Sequence, residues 1–187
     1  MRGTDPLSVI VLLPLALIAA SCDRQSPLTS QPDRPATAKP GKIDRSQAGT
    51  ATPTDPFNAP DGKTVTLAAF RGTPLLVNLW ATWCGPCVKE MPSLDRLAAR
   101  TGTKLRVLTV SQDMQGRAAV DRWWTGKSLT KLERYVDDKN NLGFALGGGS
   151  LPTTVLYDAN GREVWRVTGE LDWDGATARA LLAPVIG

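Results

Sequence analysis

The order of apolar patterns along this chain predicts an α/β protein, a three-layer α/β/α sandwich. Three observations carry that expectation. Leu75 to Trp80 is a nearly continuous apolar run, as in a central strand covered on both faces. Segments with helical spacing alternate with short β-rich runs on either side of it. The chain then closes with a hairpin turn, Asp158-Ala159-Asn160-Gly161, and one more helical segment. At 187 residues and 42% hydrophobic, one domain with a full core fits comfortably. No internal repeat is visible.

The folded part is expected from Phe57 to Gly187. Asp61-Gly62 is a turn signal, and Lys63 to Leu67 alternates like a short strand, an N-terminal β extension. Leu75 to Trp80 follows. From Cys84 a helix runs toward Arg100, with Val88, Met91, Leu94, Leu97 and Ala98 at i, i+3 and i+4 spacing and Gly102 after its end. Pro92 lies inside it and should kink it, because it has no N–H for the Val88 carbonyl. Leu105 to Val110 is the second core strand. Ala118 to Thr125 (helix) and Leu132 to Val136 (strand) form a central α-β insertion. Asn140 to Leu146 is a helix closed by Gly147-Gly148-Gly149. Thr153 to Tyr157 is the third long strand, Glu163 to Thr168 its hairpin partner, and Trp173 to Ala183 the last helix.

Ahead of this domain, Val9 to Ala20 is apolar behind a short start carrying Arg2. It is too short to span a bilayer comfortably and Pro14 interrupts it, which favours a secretory signal. Ala19-Ala20-Ser21-Cys22 resembles the processing box of bacterial lipoproteins, with residues 1–21 removed and Cys22 carrying the lipid. Ordinary cleavage after Ala20 and an uncleaved anchor are the alternatives. All three send the domain to the periplasmic side of the inner membrane, where disulfides form. Asp23 resembles the inner-membrane retention signal of some lipoproteins. Residues 22–56 are rich in Pro, Ser, Thr and Gln, and read as a disordered tether with an average reach on the order of 30 Å.

Composition narrows the chemistry. The net charge is only +4 and basic residues are scattered, so nucleic acid is not an expected partner. Histidine is absent, which removes Cys–His and Ser–His–Asp mechanisms and the commonest metal ligand. Two of the three cysteines stand in Trp83-Cys84-Gly85-Pro86-Cys87, after a strand and at the start of a helix. Unpaired N–H groups and the dipole at a helix N-terminus stabilise a thiolate, and the thiolate is the form that attacks a disulfide. Cys84 is therefore expected to be exposed and attacking, and Cys87, one turn further in, to resolve the mixed disulfide. Gly85-Pro86 allows close approach and pre-forms the first helical turn. The competing reading is Cu(I) held by two thiolates, with few other soft ligands nearby in sequence. Neither a metal nor an organic cofactor is expected.

Strand, Trp-Cys-Gly-Pro-Cys, kinked helix and a Leu151-Pro152-Thr153 loop entering a later strand resemble the thioredoxin fold. More narrowly, the chain resembles the membrane-tethered TlpA/ResA/CcmG branch of thiol-disulfide reductases. The matching stretches are Asp61-Gly62-Lys63, Leu67 to Gly72, Asn78 to Cys84 and Lys89-Glu90-Met91-Pro92. Tyr135-Val136-Asp137-Asp138 and Thr168 to Trp173 look closest to TlpA-type members. The resemblance implies a cis Pro152 whose loop, with Leu151 and Thr153, offers backbone to a substrate peptide; a plain strand-initiating turn is the alternative. It also implies that Glu90 assists proton movement, since Asn78 stands where thioredoxin has an ionisable Asp. A solvated Glu90 making ordinary charge pairs is the alternative. Trp83 should shield the site and contact partners, and Trp80 should be core. Adjacent Trp123 and Trp124 should not both face inward. The Gly-rich turn lacks the following Lys of a phosphate loop. The implied partners are cysteine pairs on cytochrome biogenesis proteins, copper-site proteins of the oxidase first and apocytochrome c second, and an upstream membrane thiol donor. A non-catalytic copper-binding or scaffold module is the reading from a different class.

Overall fold

The structure, a computed structural model, describes residues 41–146 and 148–187. The expected signal segment, Cys22 and residues 22–40 lie outside the described residues. Among the described residues eight strands form one sheet: β1 (Lys42–Asp44), β2 (Phe57–Asn58), β3 (Thr64–Val65), β4 (Leu75–Trp80), β5 (Arg106–Ser111), β6 (Tyr135–Val136), β7 (Thr153–Tyr157) and β8 (Glu163–Thr168). Their order across the sheet is β1-β8-β7-β4-β5-β6-β2-β3. β4, β5 and β6 run parallel; on the other side of β4, β7 runs antiparallel to it and β8 antiparallel to β7. The helices are α1 (Gly85–Thr101), α2 (Arg117–Trp124), α3 (Asn141–Ala145) and α4 (Ala176–Ile186).

β4 explains the layering. All its residues are buried, and successive side chains point to opposite faces. Leu76 and Trp80 enter a core with α1, α2 and α4, through Met91, Leu94, Leu97, Val120, Ala178 and Leu182. Leu75, Val77 and Leu79 enter the other core, with Leu142 of α3 and with Phe57 and Tyr135. Asn78 falls in register with Leu76 and Trp80, so this amide is turned toward α1. The fold is thioredoxin-like, as expected, with the β extension and the α-β insertion in place.

Three expectations are corrected. The folded part includes residues ahead of Phe57: β1 pairs antiparallel with β8, and Gly49 N–H and Thr50 C=O bond to the Glu163 backbone. Polar composition suggested a tether here, but a strand on a sheet edge is held by main-chain bonds and needs few apolar side chains. Trp123 and Trp124 both pack on Trp80, with centroids 4.7 and 6.0 Å away, each half-buried at the margin of the core. The last helix starts at Ala176, because Trp173 is a core residue in the preceding turn, stacked on Trp165.

Candidate active site

Cys84 is the N-cap of α1: its backbone is extended and its Sγ accepts from Cys87 N–H at 3.3 Å. Gly85 and Pro86 supply the first exposed turn, and the two cysteines are joined as a disulfide with Cα atoms 5.3 Å apart. The expectation of an exposed Cys84 is also corrected. Joined to Cys87 it is only 6% exposed, and Cys87 is fully buried, so Cys84 presents the one accessible edge of the pair. Beside it Trp83 stands 71% exposed, whereas Trp80 is wholly in the core.

A polar network fixes the approach to the dithiol. Thr82 donates through its backbone N–H and its hydroxyl to Asp113, at 2.9 and 2.6 Å, and Ser111 Oγ donates to the same carboxylate at 2.6 Å. Asp113 is buried at the end of β5, next to β4, and clamps the turn that leads into Cys84.

Facing that turn, the Leu151–Pro152 peptide bond is cis, as the resemblance implied. Thr153 Oγ1 donates to Ser150 C=O at 2.7 Å, and Pro152 C=O accepts from Gly169 N–H at 2.9 Å. Gly148 and Gly149, with φ of 85° and 86°, give the preceding turn a backbone that other residues rarely adopt.

Glu90 is the residue whose environment was least legible beforehand. It lies three residues after Cys87 on the inner face of α1 and is only 2% exposed, which overturns the solvated alternative. Asn78 Nδ2 donates to its Oε1 at 2.6 Å, while Leu171 N–H and Trp173 Nε1–H donate to its Oε2, each at 3.3 Å. Burial dominates over these donors and raises the carboxyl to about 7, with the neighbouring Glu170 charge adding to the rise. Glu170 itself is paired with Lys89 at 2.6 Å. A carboxyl of that affinity one helical turn behind a cysteine can take or give a proton near neutrality.

Asp113, Leu171 and Trp173 are site residues that sequence reasoning did not place at the site, and Asn78 was marked there only as a residue that cannot ionise. A lone Asp after a strand reads as a turn residue. Nothing local to Trp173 indicates that its indole reaches back to Glu90.

Fold and site together define a thioredoxin-like protein with a Cys-X-X-Cys disulfide at the N-terminus of its first helix. A model of the Redoxin family matches residues 47–182, and the chain belongs to that family. It is 35% identical over 114 residues to the thiol:disulfide interchange protein DsbE of Vibrio cholerae, a match covering 61% of this chain and 60% of that one. To the thiol-disulfide oxidoreductase ResA of Bacillus anthracis it is 29% identical over 128 residues, covering 68% and 73%. The chain thus spans about 60% of the length of the Vibrio relative. Among solved structures it is similar to the exposed lipoprotein thioredoxin of Streptococcus pneumoniae, with a TM-score of 0.60 at 28% identity, covering 69% of this chain and 98% of that one. The branch of reductases expected from the motifs is met by the ResA and DsbE relatives.

Proposed function

We propose that this chain is a thiol-disulfide reductase, tethered to the membrane and working on the periplasmic side of the bacterial inner membrane. The observation that carries the reading is the stack of Cys84 at the α1 N-cap, Cys87 buried behind it and Glu90 one turn deeper, raised to about 7. In the reduced protein the Cys84 thiolate attacks one sulfur of a substrate disulfide. The substrate S–S bond breaks, the departing sulfur takes a proton, and a mixed disulfide forms. Glu90 then takes the Cys87 proton, which a free thiol releases only near 8.5. The Cys87 thiolate attacks Cys84 Sγ, the mixed disulfide breaks, and the second substrate sulfur leaves as a thiolate. Two electrons have passed to the substrate, and the protein is left with the Cys84–Cys87 bond. An upstream membrane dithiol donor restores the pair.

Trp83, Gly85, Pro86, Leu151, Pro152 and Thr153 form the docking edge in this reading. The Pro152 carbonyl is already engaged by Gly169, so Leu151 is the residue that offers backbone to the substrate. Anchoring through Cys22 is supported by the lipoprotein-like box and by the naming of the pneumococcal relative as an exposed lipoprotein. The targets we favour are cysteine pairs of oxidase copper-site assembly proteins, from the TlpA-like stretches, ahead of apocytochrome c.

Trapping tests this. Cys87→Ser cannot resolve the mixed disulfide and should accumulate a covalent adduct with one periplasmic protein, released by dithiothreitol and identified by mass spectrometry. Failure of the wild-type chain to reduce any protein disulfide, together with stoichiometric Cu(I) uptake, would overturn the assignment in favour of a copper module.

A further inference from the structure

We propose that Arg166 is a positioning residue for substrate docking: clasped by Glu163, it holds the upstream end of the loop that carries Leu151 and Pro152. This deepens the reductase reading and rests on it, since Leu151 is there the residue that offers backbone to the substrate.

A register shift brings the two charged side chains together. Successive residues of a strand point to opposite faces, so Glu163 and Arg166, three positions apart on β8, would ordinarily point apart. An extra residue, Val164, stands between the pairs Leu156–Trp165 and Tyr157–Glu163. Both side chains are thereby turned onto the face where Val155 and Tyr157 pack with Leu142 of α3. There Arg166 Nε and Nη2 donate to the two Glu163 carboxylate oxygens, at 2.7 and 2.6 Å. Nη1 is left to donate to Leu146 C=O at 2.6 Å. The two side chains are only 16% and 2% exposed. Glu163 is fixed in turn from outside, its backbone bonded to Gly49 and Thr50.

Stability alone does not call for such a pair. Apolar side chains of similar volume would hold this face as well, because taking both charges out of water offsets most of their attraction. A clasped guanidinium adds direction, a rigid donor aimed at one carbonyl. That carbonyl belongs to the C-cap of α3, where a helix leaves C=O groups without partners.

It is also one end of the loop. At the other end Pro152 C=O accepts from Gly169 N–H at 2.9 Å, with Thr153 Oγ1 bonded to Ser150 C=O. Both ends are thus tied to β8 or to the residue that follows it, at positions 166 and 169. Between them Gly148 and Gly149 bring no side chain to pack, so the placement of the loop depends on how its ends are held. Freeing the upstream end lets Leu151 leave the docking geometry, and apparent affinity falls with the fraction that remains competent.

The test uses the full chain in detergent, reduced and then freed of reductant. Single-turnover rates are followed against concentration for a peptide carrying one cysteine in a mixed disulfide with glutathione. The second substrate is 5,5′-dithiobis(2-nitrobenzoate), which has no peptide backbone to lay on the loop. Arg166→Lys keeps a charge beside Glu163 but lacks the fork that reaches Leu146 as well. Glu163→Gln combined with Arg166→Gln removes both charges together, and stands in if the lysine variant does not fold. The half-saturating peptide concentration should rise about fivefold or more, with the limiting rate and the small-disulfide rate within about twofold of wild type. An unchanged half-saturating concentration, whatever happens to Tm, makes the pair purely structural and overturns the proposal. Equal slowing with both substrates places the effect at the dithiol and overturns it too. If the wild-type chain reduces neither substrate, the reductase reading falls and this one with it.

Discussion

Asn78 Nδ2 donates to Glu90 Oε1 at 2.6 Å and to Thr154 Oγ1 at 2.9 Å, tying α1 to the neighbouring strands β4 and β7. The bond spans the core face of β4, between Leu76 and Trp80, where an apolar side chain would ordinarily sit. A carboxyl is thereby held in the interior at the level of the dithiol.

Glu90 makes stability depend on pH. Its ordinary value is 4.5 and the fold raises it to about 7, so between these values the folded chain binds more protons than the unfolded one. The contribution is fully present below about pH 4.5 and is lost as pH rises through 7. At 1.36 kcal/mol per pKa unit this loss is on the order of 3 kcal/mol. Subtracting the Tm profile of Glu90→Gln from that of the wild type should leave a curve that falls between pH 5 and 8. A flat difference would place Glu90 at its ordinary value.

The same substitution should act on the thiols. Without the carboxylate charge behind it, Cys87 should titrate lower in Glu90→Gln, while loss of the proton acceptor should slow reduction of a protein disulfide by about 10²-fold or more. Thiol alkylation against pH and single-turnover kinetics read the two effects. Unchanged titration and turnover would remove Glu90 from the mechanism.

Replacing Asn78 by an aspartate sets a second carboxyl against Glu90. Two carboxyls in hydrogen-bond contact cannot both ionise cheaply in a buried site, so they should share one proton across neutrality. Asn78→Asp should therefore lose more stability than the wild type on going from pH 6 to pH 9, in denaturant titrations at each pH. Equal losses in the two proteins would show that the introduced carboxyl and Glu90 do not couple.

Asp113 is predicted to hold the turn before Cys84. Asp113→Ala leaves the Thr82 N–H, the Thr82 hydroxyl and the Ser111 hydroxyl without their acceptor, costing about 3 kcal/mol in urea unfolding. Hydrogen exchange at Thr82 N–H should quicken by more than exchange in α4, which lies outside this network.

A chain beginning at Phe57 should be folded but weaker. It loses β1 and the bonds from Gly49, Thr50 and Thr52 to residues 161–163, and it bares the edge of β8. The expected cost is about 3 kcal/mol, with concentration-dependent association through the freed edge, readable by Tm and by light scattering.

The dithiol, its place between strand and helix, and the order of the long strands were all legible in the sequence, because each depends on near neighbours. Hydrophobic period marks β4 and α1, and turn residues mark the β7–β8 hairpin. What the tertiary structure alone decided was the company each polar residue keeps. Glu90 looks like any helix-surface glutamate until α1 is laid on β4, when Asn78 and the indole of Trp173 close around it. Arg166 becomes a clasp only when the end of α3 is brought against β8, and Lys42 to Asp44 becomes a strand only because β8 has a free edge. Local pattern sets which face of an element is apolar. Burial, and with it proton affinity, belongs to what that face meets.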